Sequence, residues 1–364
     1  MFRKGYPMDT GTLPTILVTG GSGYIAGWII KYLLEDGHCV HATVRNKRNT
    51  EKTAHLVKLG EAHDGRLTLF EADLLRPGSF DAAAAGCDMV IHTASPFKIN
   101  GIRHPVAELI TPALEGTRNV LATVNATPSV KRVVLTSSCV AVLGDPIQAR
   151  DLPDATVSES VWNTTASEKH HPYAYSKTLA EKEAWTIAEQ QTRWTLVTLN
   201  PGFVIGPSLS KRIDGTSIQF MKDLFDGKFR SGILDMHMGF VDVRDVARAH
   251  LLAALRECAS GRHLLVAETL SYLAFADRIR SRFGNRCPLP KKNVPRILAY
   301  LIGPLVGISW KMINMGWGIP FAYDNTYAQQ DLGITFRPIE ETAADHAAQL
   351  KDDNLLRHPH FLDR

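Results

Sequence analysis

Short apolar runs alternate with longer amphipathic stretches along this chain of 364 residues as far as residue 200. The amphipathic stretches predict helices, among them YIAGWIIKYLLEDG, PVAELITPALEGTRNVLATV and HHPYAYSKTLAEK. The apolar runs predict strands at TILVTG (15–20), HCVHATV (38–44), RLTLF (66–70), DMVIHTA (88–94), RVVLTSS (132–138) and TLVTLNP (195–201). Because several strands are apolar almost throughout, we expect an α/β fold with a doubly wound parallel sheet that is covered on both faces.

The regular alternation weakens after residue 200, where glycine-containing loops occur at 206–216 and 226–240. The run FVDVRDVARAHLLAAL then predicts a return from strand to helix. We therefore expect a flexible lead-in at 1–13 and a nucleotide-binding domain at 14–200 plus 241–267. A smaller, interleaved C-terminal lobe at 201–240 plus 268–364 is expected to bind the substrate.

Composition narrows the functional classes. The net charge is +4 and no polybasic run is interleaved with aromatic residues, so we expect no nucleic-acid partner. Five scattered cysteines without a Cys-x-x-Cys pair favour a reducing, cytoplasmic location. No metal site is expected at His92, His170, His171 or His250.

The apolar stretch 297–310 is too short to span a membrane. It predicts helices of a soluble lobe, with an interfacial membrane contact as the alternative.

The segment TGGSGYIAG (19–27) lies between the first predicted strand and the first predicted helix. A glycine-rich turn at this position directs backbone N–H groups at a pyrophosphate. Gly20 permits the turn, Gly23 permits close approach of the cofactor, and Ser22, Tyr24 and Ile25 complete the predicted contact. The segment predicts a dinucleotide site, with a purely structural loop as the alternative.

The end of the second strand indicates which dinucleotide binds. An acidic residue there would accept hydrogen bonds from the ribose 2′-hydroxyl of NAD, whereas this chain has TVRNKRNTEK with Arg45 at the strand end and Lys52 nearby. Basic side chains match a 2′-phosphate. We therefore predict NADP(H), although Lys47 and Arg48 could belong to a solvated loop.

Two further strand ends complete the predicted cofactor cleft. FEADLL (70–75) offers Asp73 to the adenine amino group with Leu74 beside it, and Asp73 could instead cap a helix near Pro77. HTASP (92–96) supplies small side chains that let the cofactor approach the backbone.

These motifs, together with LEGTRNVL, VVLTSS, YAYSK, NPGFVIGP and FVDVRDVARAH, resemble the extended short-chain dehydrogenase/reductase superfamily from about residue 14 to 346. TVRN, HTASP and SKTLAEKEAW make the chain most similar to the branch of dihydroflavonol-reductase-like aldehyde and ketone reductases. The resemblance implies a Rossmann domain with a substrate lobe, and NADPH-dependent reduction of carbonyl groups.

The resemblance also implies roles for individual residues. The catalytic serine, tyrosine and lysine fall on Ser138, Tyr173 and Lys177, with Ser137 as the competing serine. Lys177 would also hold the nicotinamide ribose. Arg45 and Lys52 would hold the 2′-phosphate. The nicotinamide side would be lined by Thr93, Ser95, Thr136, Pro201 and Phe203.

Elementary chemistry supports the catalytic pair. Tyr173 and Lys177 are four residues apart and share one face of a helix. An ammonium group beside a phenol lowers the pKa of the phenol, so Tyr173 could donate a proton to a carbonyl oxygen that Ser138 also binds. Tyr175 lacks a lysine four residues later and is expected to be a packing residue. Asn119 could assist a relay water or lie on a helix surface.

Several alternatives remain open at this stage. A hydroxysteroid dehydrogenase and a nucleotide-sugar epimerase or dehydratase use the same residue types, and a redox-sensing NADP-binding protein would keep the fold without the chemistry. The substrate is expected to be a small carbonyl or alcohol compound, apolar or aromatic if Phe97, Phe203, Phe240, Trp310 and Trp317 line its pocket. A monomer and a homodimer are both expected possibilities.

Overall fold

A computed structural model describes residues 13–95, 102–211, 215–357 and 359–362. Within these ranges the strands are β1 (Thr15–Thr19), β2 (Cys39–Val44), β3 (Leu67–Glu71), β4 (Met89–His92), β5 (Arg132–Thr136), β6 (Thr156–Val157), β7 (Thr195–Pro201), β8 (Phe203–Ile205), β9 (His237–Asp242), β10 (Gly261–Leu265), β11 (Glu268–Ser271) and β12 (Ala322–Tyr323). The α-helices are α1 (Tyr24–Glu35), α2 (Thr50–Glu61), α3 (Asp81–Ala84), α4 (Thr111–Ala126), α5 (Pro172–Glu189), α6 (Thr216–Phe225), α7 (Val243–Leu255), α8 (Tyr272–Phe283), α9 (Arg296–Ile302), α10 (Trp310–Gly316), α11 (Thr326–Leu332) and α12 (Ile339–Asp352).

The main sheet has seven strands in the order β10-β7-β5-β4-β1-β2-β3, and all of its pairings are parallel. The predicted α/β fold with a doubly wound parallel sheet is confirmed, and six of its strands lie where the apolar runs predicted them. The seventh strand, β10, was not predicted as a strand. It carries Arg262 and His263 in its middle, and these polar residues interrupt the apolar pattern.

Helices cover both faces of the sheet because successive side chains of each strand point to opposite sides. Ile16 and Val18 of β1 join a hydrophobic cluster with α1 and α7, whereas Leu17 joins a second cluster with α4 and α5. Both clusters are fully buried at these strand positions. Both faces of the sheet that supports the site are therefore packed against helices.

A third cluster lies outside the main sheet. The antiparallel pair β9–β11 and the parallel pair β8–β9 form a three-stranded sheet, and α6, α8 and α12 pack around it. Phe240 of β9 is fully buried and stacks on Phe275 of α8 with ring centroids 4.1 Å apart. The boundaries proposed for a substrate lobe stay a prediction.

The strand-to-helix return predicted at 240–255 is observed as β9 and α7, with β9 beginning earlier, at His237. Asp242 caps α7 by accepting a 2.6 Å hydrogen bond from the backbone N–H of Arg244, and the guanidinium of Arg244 pairs with both Asp242 and Asp345. Thr342 of α12 donates to Asp242 at 2.9 Å. These ion pairs and hydrogen bonds therefore join α7 to α12.

The apolar stretch 297–310 forms α9, a short 3₁₀ turn and the start of α10. No helix in the described part of the chain combines the length and the apolar content needed to cross a membrane.

Candidate active site

The glycine turn connects β1 to α1 at the carboxyl edge of the sheet. Gly20 has a φ of 69°, and its carbonyl accepts a 2.8 Å hydrogen bond from the N–H of Gly23. A Cβ on Gly20 would lie 2.9 Å from the Cα of Ala94, so a side chain would force the two strand ends apart. Gly23 is the N-cap of α1 and uses no side chain to cap it.

Residues on either side of Gly23 have different surroundings. Ser22 is half-buried beside it in the turn. The hydroxyl of Tyr24 donates to the carbonyl of Gly206 at 2.5 Å, and the side chain of Ile25 packs against the sheet core. Tyr24 therefore anchors the 206 loop through its side chain, and a cofactor contact would have to use its backbone.

The basic strand end carries Arg45, whose side chain is exposed directly after β2. Asn49 caps α2 by accepting from the N–H of Lys52 at 3.2 Å, which places Lys52 in the first turn of that helix. Glu71 accepts from the backbone N–H of Lys47 at 2.8 Å and so holds the intervening loop. Arg45 and Lys52 lie at one end of the cleft, consistent with a bound phosphate.

The loop after β3 holds Asp73 and Leu74. Asp73 Oδ1 accepts a 2.8 Å hydrogen bond from the N–H of Leu75, so the carboxylate caps this local turn. Asn119 of α4 donates to the carbonyl of Leu74 at 2.7 Å. Asn119 thus fastens α4 to the cofactor loop, which accounts for its polar side chain without a relay water.

The end of β4 is fixed by short hydrogen bonds to β1. Thr93 Oγ1 donates to the carbonyl of Thr19 at 2.6 Å, and Thr19 Oγ1 lies 2.8 Å from His92 Nδ1. Burial, with a smaller effect from the charge of Lys177, lowers the pKa of His92 to about 3. His92 is therefore a neutral, satisfied strand-end residue, as expected.

The structure brings Ser138 and Tyr173 together from different elements. Ser138 follows β5 and caps a 3₁₀ turn at Cys139–Ala141, and Tyr173 lies in the first turn of α5 behind Pro172. The side chain of Ser138 lies close enough to that of Tyr173 to act on its pKa. Burial raises the pKa of Tyr173 well above its ordinary value, whereas the interaction with Ser138 lowers it. Tyr173 therefore holds its proton at neutral pH.

Lys177 lies one helical turn after Tyr173 and is buried. Its ammonium group donates to the carbonyl of Thr136 at 3.2 Å, and burial lowers the pKa of Lys177 to about 8 against an opposing effect of Glu181. A lowered pKa of Tyr173 was expected from this lysine. The pKa of the phenol is instead raised, because burial outweighs the other effects.

Ser137 and Ser138 have different partners. Ser137 Oγ donates to Glu181 Oε2 at 2.5 Å, which turns this hydroxyl into the buried interior. Glu181 also accepts from Asn200 at 2.8 Å and from Arg262 at 2.6 Å. These contacts favour Ser138 as the serine that faces Tyr173.

Glu181 was missed by sequence reasoning. An available signal was its position four residues after Lys177, which places a carboxylate on the buried side of α5. A narrow cavity lies beside it, lined by His92, Ala94, Ser95, Thr117, Leu135, Thr136, Ser137, Lys177, Ala180 and Glu181.

The remaining predicted nicotinamide residues differ in their surroundings. Thr136 Oγ1 lies 2.7 Å from His250 Nε2, so its hydroxyl has a buried partner and its carbonyl is bound by Lys177. Pro201 ends β7, and Ser95 lines the cavity beside Lys177. Phe203 is half-buried and meets Phe220 edge to face at 5.4 Å.

His170 and His171 were expected to lack ligand companions, and the structure corrects this. His170 Nε2 lies 2.8 Å from Asp145 Oδ2, and His171 Nε2 lies 3.1 Å from Asp145 Oδ1. Although burial opposes the change, hydrogen bonds from the two histidines and Thr165 lower the pKa of Asp145 to about 2. The grouping brings together residues 25 positions apart, so sequence spacing could not reveal it.

The aromatic residues proposed for a substrate pocket separate into classes. Phe240 belongs to the core rather than to a pocket, and Trp310 is exposed on α10. Trp317 and Phe203 are half-buried. Phe97 lies outside the described residues.

The cleft as a whole fits a phosphate-bearing dinucleotide. Gly20 and Gly23 leave space at the start of α1, where backbone N–H groups and the helix dipole favour an anion. Arg45 and Lys52 supply positive charge at one end, and Lys177 supplies it at the other. The glycine turn and the basic residues present therefore fit NADP(H).

Comparison with protein families matches residues 16–267 to the NAD dependent epimerase/dehydratase family. A cinnamoyl-CoA reductase of Medicago truncatula is 38% identical over 342 residues, covering 93% of this chain and 95% of the relative. A tetraketide alpha-pyrone reductase of Arabidopsis thaliana is 35% identical over 345 residues, covering 94% and 96%.

Solved structures of reductases are also similar to this chain. The yeast methylglyoxal/isovaleraldehyde reductase complexed with NADPH has a TM-score of 0.76 and 27% identity, covering 94% of this chain and 100% of that one. Vestitone reductase from alfalfa has a TM-score of 0.73 and 28% identity, with coverage of 94% and 100%.

Proposed function

The chain belongs to the NAD dependent epimerase/dehydratase family, and on this premise we propose that it reduces aldehydes or ketones to alcohols with Tyr173 as the proton donor. The predicted likeness to extended short-chain dehydrogenases/reductases is confirmed, as is the prediction of an NADP(H)-dependent oxidoreductase. The relatives are named for cinnamoyl-CoA, a tetraketide alpha-pyrone, methylglyoxal and isovaleraldehyde. All of these are carbonyl compounds.

One observation carries the proposal. The side chains of Ser138 and Tyr173 interact beside the buried ammonium of Lys177, at the carboxyl edge of the parallel sheet. Ligands of open α/β sheets bind at this edge. A carbonyl oxygen that contacts both hydroxyls would accept a hydrogen bond from Ser138 and a proton from Tyr173.

The nicotinamide, when bound, supplies the hydride to the carbonyl carbon. Tyr173 gives its phenolic proton to the carbonyl oxygen, and its raised pKa means that it holds this proton at neutral pH. Ser138 donates a hydrogen bond to the same oxygen as negative charge develops there. The resulting phenolate is stabilised by Lys177, whose pKa of about 8 keeps it mostly charged near neutrality.

The cofactor contacts are part of the same proposal. Backbone groups at Gly20, Ser22, Gly23, Tyr24 and Ile25 would bind the pyrophosphate, and Arg45 with Lys52 would bind the 2′-phosphate. Asp73 and Leu74 would flank the adenine. Thr93, Ser95, Thr136, Pro201 and Phe203 would border the nicotinamide, with the Thr136 hydroxyl already bonded to His250.

We place an apolar or aromatic carbonyl compound in the site, with the chain acting as a monomer or homodimer. Phe203 and Trp317 are half-buried and support this choice. The test is a panel of aliphatic, aromatic and steroidal carbonyl compounds, assayed with NADPH and NADH in parallel. Oxidation of NADPH by aromatic or aliphatic carbonyls supports the proposal, whereas tight NADPH binding without turnover of any compound contradicts it.

A further inference from the structure

The segment from α9 to the start of α10 presents apolar side chains to solvent. Ile297, Leu298, Leu301, Ile302 and Trp310 are five of the ten large hydrophobic side chains that are exposed in the described ranges. Ile297 is 76% exposed, Leu301 69% and Trp310 60%. Ile297 and Leu301 are four residues apart on one helix and so project from one face. A contiguous exposed apolar patch of this kind marks an interaction surface.

Polar contacts hold this surface in one arrangement. The indole N–H of Trp310 donates to the carbonyl of Tyr300 at 2.9 Å, which fastens α10 to α9. The hydroxyl of Tyr300 donates to Asn314, and the guanidinium of Arg296 lies 5.7 Å from the ring centroid of Tyr300. The apolar side chains therefore project from two helices that are tied together.

The segment that carries the patch has charges of a single sign. Residues 278–323 contain eight basic residues and no acidic one, whereas the whole chain carries +4, so the rest of the chain carries a net negative charge. The basic residues are Arg278, Arg280, Arg282, Arg286, Lys291, Lys292, Arg296 and Lys311. The small net charge of the whole chain does not reveal this local cluster of basic residues.

Acidic residues from neighbouring segments neutralise only part of this charge. Arg278 pairs with Glu268, and Arg280 pairs with Asp277. Among the residues that the structure describes, Lys291, Lys292, Arg296 and Lys311 form no ion pair, and all four are exposed. An anionic partner would meet positive charge on both sides of the apolar residues.

We infer that the basic apolar patch, made of Lys291, Lys292, Arg296, Ile297, Leu298, Leu301, Ile302, Trp310 and Lys311, docks the protein onto an anionic lipid bilayer. Apolar side chains that protrude this far can enter the boundary between headgroups and acyl chains. Tryptophan favours the same level, and basic residues are attracted to anionic headgroups. The contact is interfacial, since no described helix could span a bilayer.

A second copy of the chain fits this patch less well. A symmetric dimer through the patch would place the same surface of both subunits in contact. The basic residues Lys291, Lys292, Arg296 and Lys311 would then lie against an equally basic surface, and like charges across an interface oppose association. The same basic charges that oppose the dimer attract an anionic bilayer.

The patch adjoins the catalytic region. Helix α10 packs against the 3₁₀ segment Pro146–Asp151, which follows the Ser138 turn in the chain. A Cβ on Gly316 of α10 would lie 3.5 Å from Pro146 Cδ. Docking through α9 and α10 would therefore bring this side of the active site towards the bilayer.

The test is flotation of the full chain with vesicles. We expect binding to phosphatidylcholine vesicles that contain about 30 mol% phosphatidylserine and much weaker binding to phosphatidylcholine alone. Because salt screens exposed charges, binding should weaken by at least about tenfold between roughly 0.05 M and 0.5 M NaCl. Lys291→Glu with Lys292→Glu should weaken binding to anionic vesicles by roughly thirtyfold or more.

A second variant tests the apolar part of the contact. Ile297→Asp with Leu301→Asp should weaken vesicle binding by at least about tenfold. The matched control is Val57→Asp with Lys58→Glu, which replaces an exposed apolar and an exposed basic residue on α2. This control should keep vesicle binding within about twofold. Circular dichroism and the rate with a water-soluble substrate check that each variant is folded.

The contradicting outcomes are distinct. Absence of binding to the anionic vesicles at low salt would overturn the inference. Equal binding of the patch variants and the control would overturn it as well. A third outcome combines two results: the parent does not bind vesicles, and light scattering shows that it is a dimer whereas the Ile297→Asp, Leu301→Asp variant is a monomer. This outcome would assign the patch to self-association instead.

Discussion

The carboxylate of Glu181 accepts a 2.6 Å hydrogen bond from Nε of Arg262, and both side chains are almost fully buried behind the helix face that carries Lys177. The ring centroid of Trp162 lies 3.6 Å from the guanidinium carbon of Arg262. Glu181 also binds Ser137, which neighbours the candidate catalytic serine. One buried carboxylate thus connects α5, β5 and β10.

Replacing Glu181 by Gln is expected to lower the free energy of unfolding by about 3–5 kcal/mol, because Arg262 would keep a buried charge without its counter-ion. Urea denaturation measures the loss. The control is Glu183→Gln, whose partner Arg118 lies at the surface, and it should cost less than about 1 kcal/mol. Similar losses in the two variants would show that the buried pair contributes nothing special to stability.

Replacing Tyr173 by Phe is expected to lower kcat by about 10²–10⁴, since the carbonyl oxygen loses its proton donor. The affinity for NADPH should stay within about twofold, because the cofactor contacts proposed for other residues are retained. Steady-state rates of NADPH oxidation and fluorescence titration measure the two quantities. Tyr175→Phe is the control and should keep its rate. Full activity in Tyr173→Phe would remove this residue from the mechanism.

Replacing Arg45 by Asp is expected to raise the Kd for NADPH by roughly 10–100-fold, because a charge-assisted hydrogen bond to the 2′-phosphate is lost and repulsion is added. The Kd for NADH should change little. Titration with both cofactors separates the effects, and Arg48→Asp provides a matched charge change on the neighbouring loop. A similar loss of NADPH affinity in both variants would indicate a diffuse electrostatic effect.

Replacing Gly20 by Ala should destabilise the protein and weaken NADPH binding. Gly20 has a φ of 69° and a Cβ there would lie 2.9 Å from Ala94 Cα. Gly65 has a φ of 70° with no atom within 4 Å of its Cβ position, so Gly65→Ala isolates the backbone strain, about 1–2 kcal/mol. Thermal melts and NADPH titration should show a larger loss for Gly20→Ala. Equal losses of stability and NADPH affinity in the two variants would contradict the close approach of Ala94 to Gly20.

The unfolding free energy should fall as pH drops from about 6.5 to 4, in part because of His250. Burial lowers the pKa of His250 in the folded state to about 4, below its ordinary value near 6.5 in the unfolded chain. The unfolded chain therefore binds the proton first, and this group alone can remove up to about 3 kcal/mol. Below about pH 4 both states bind the proton, so the loss from this group is then complete and grows no further.

Urea denaturation at about pH 7 and about pH 4.5 measures this dependence. His250→Gln should show a smaller difference between the two pH values than the parent does. His104 is exposed, so His104→Gln should leave the difference unchanged. An unchanged pH dependence in His250→Gln would mean that other groups account for acid destabilisation.

Much of the fold could be predicted because local patterns agree with it. The strands β1 to β5 and β7 are apolar runs of the length that a buried parallel sheet needs. Strand β10 was missed because Arg262 and His263 interrupt its pattern. Their partners Glu181 and Asp331 lie 81 and 68 residues away in the chain, so the sequence pattern gives no sign that these polar groups are satisfied.

The candidate active site likewise has parts that the sequence could predict and parts that it could not. The glycine turn and the Tyr173–Lys177 spacing are local features, which is why sequence reasoning could propose them. Asp145, Glu181 and the pairing of Ser137 with Glu181 depend on contacts between distant segments. Phe240 could have belonged to a pocket or the core, and only its stacking on Phe275 decided for the core.

The sequence by itself determined the strands β1 to β5 and β7, the family and the choice of a phosphorylated dinucleotide, because these follow from periodicity, glycine positions and charge at one strand end. Tertiary structure decided which serine faces Tyr173, which carboxylate holds Arg262, and which apolar residues remain in solvent. Burial and hydrogen bonding between segments set these outcomes, and neither is a property of the local sequence.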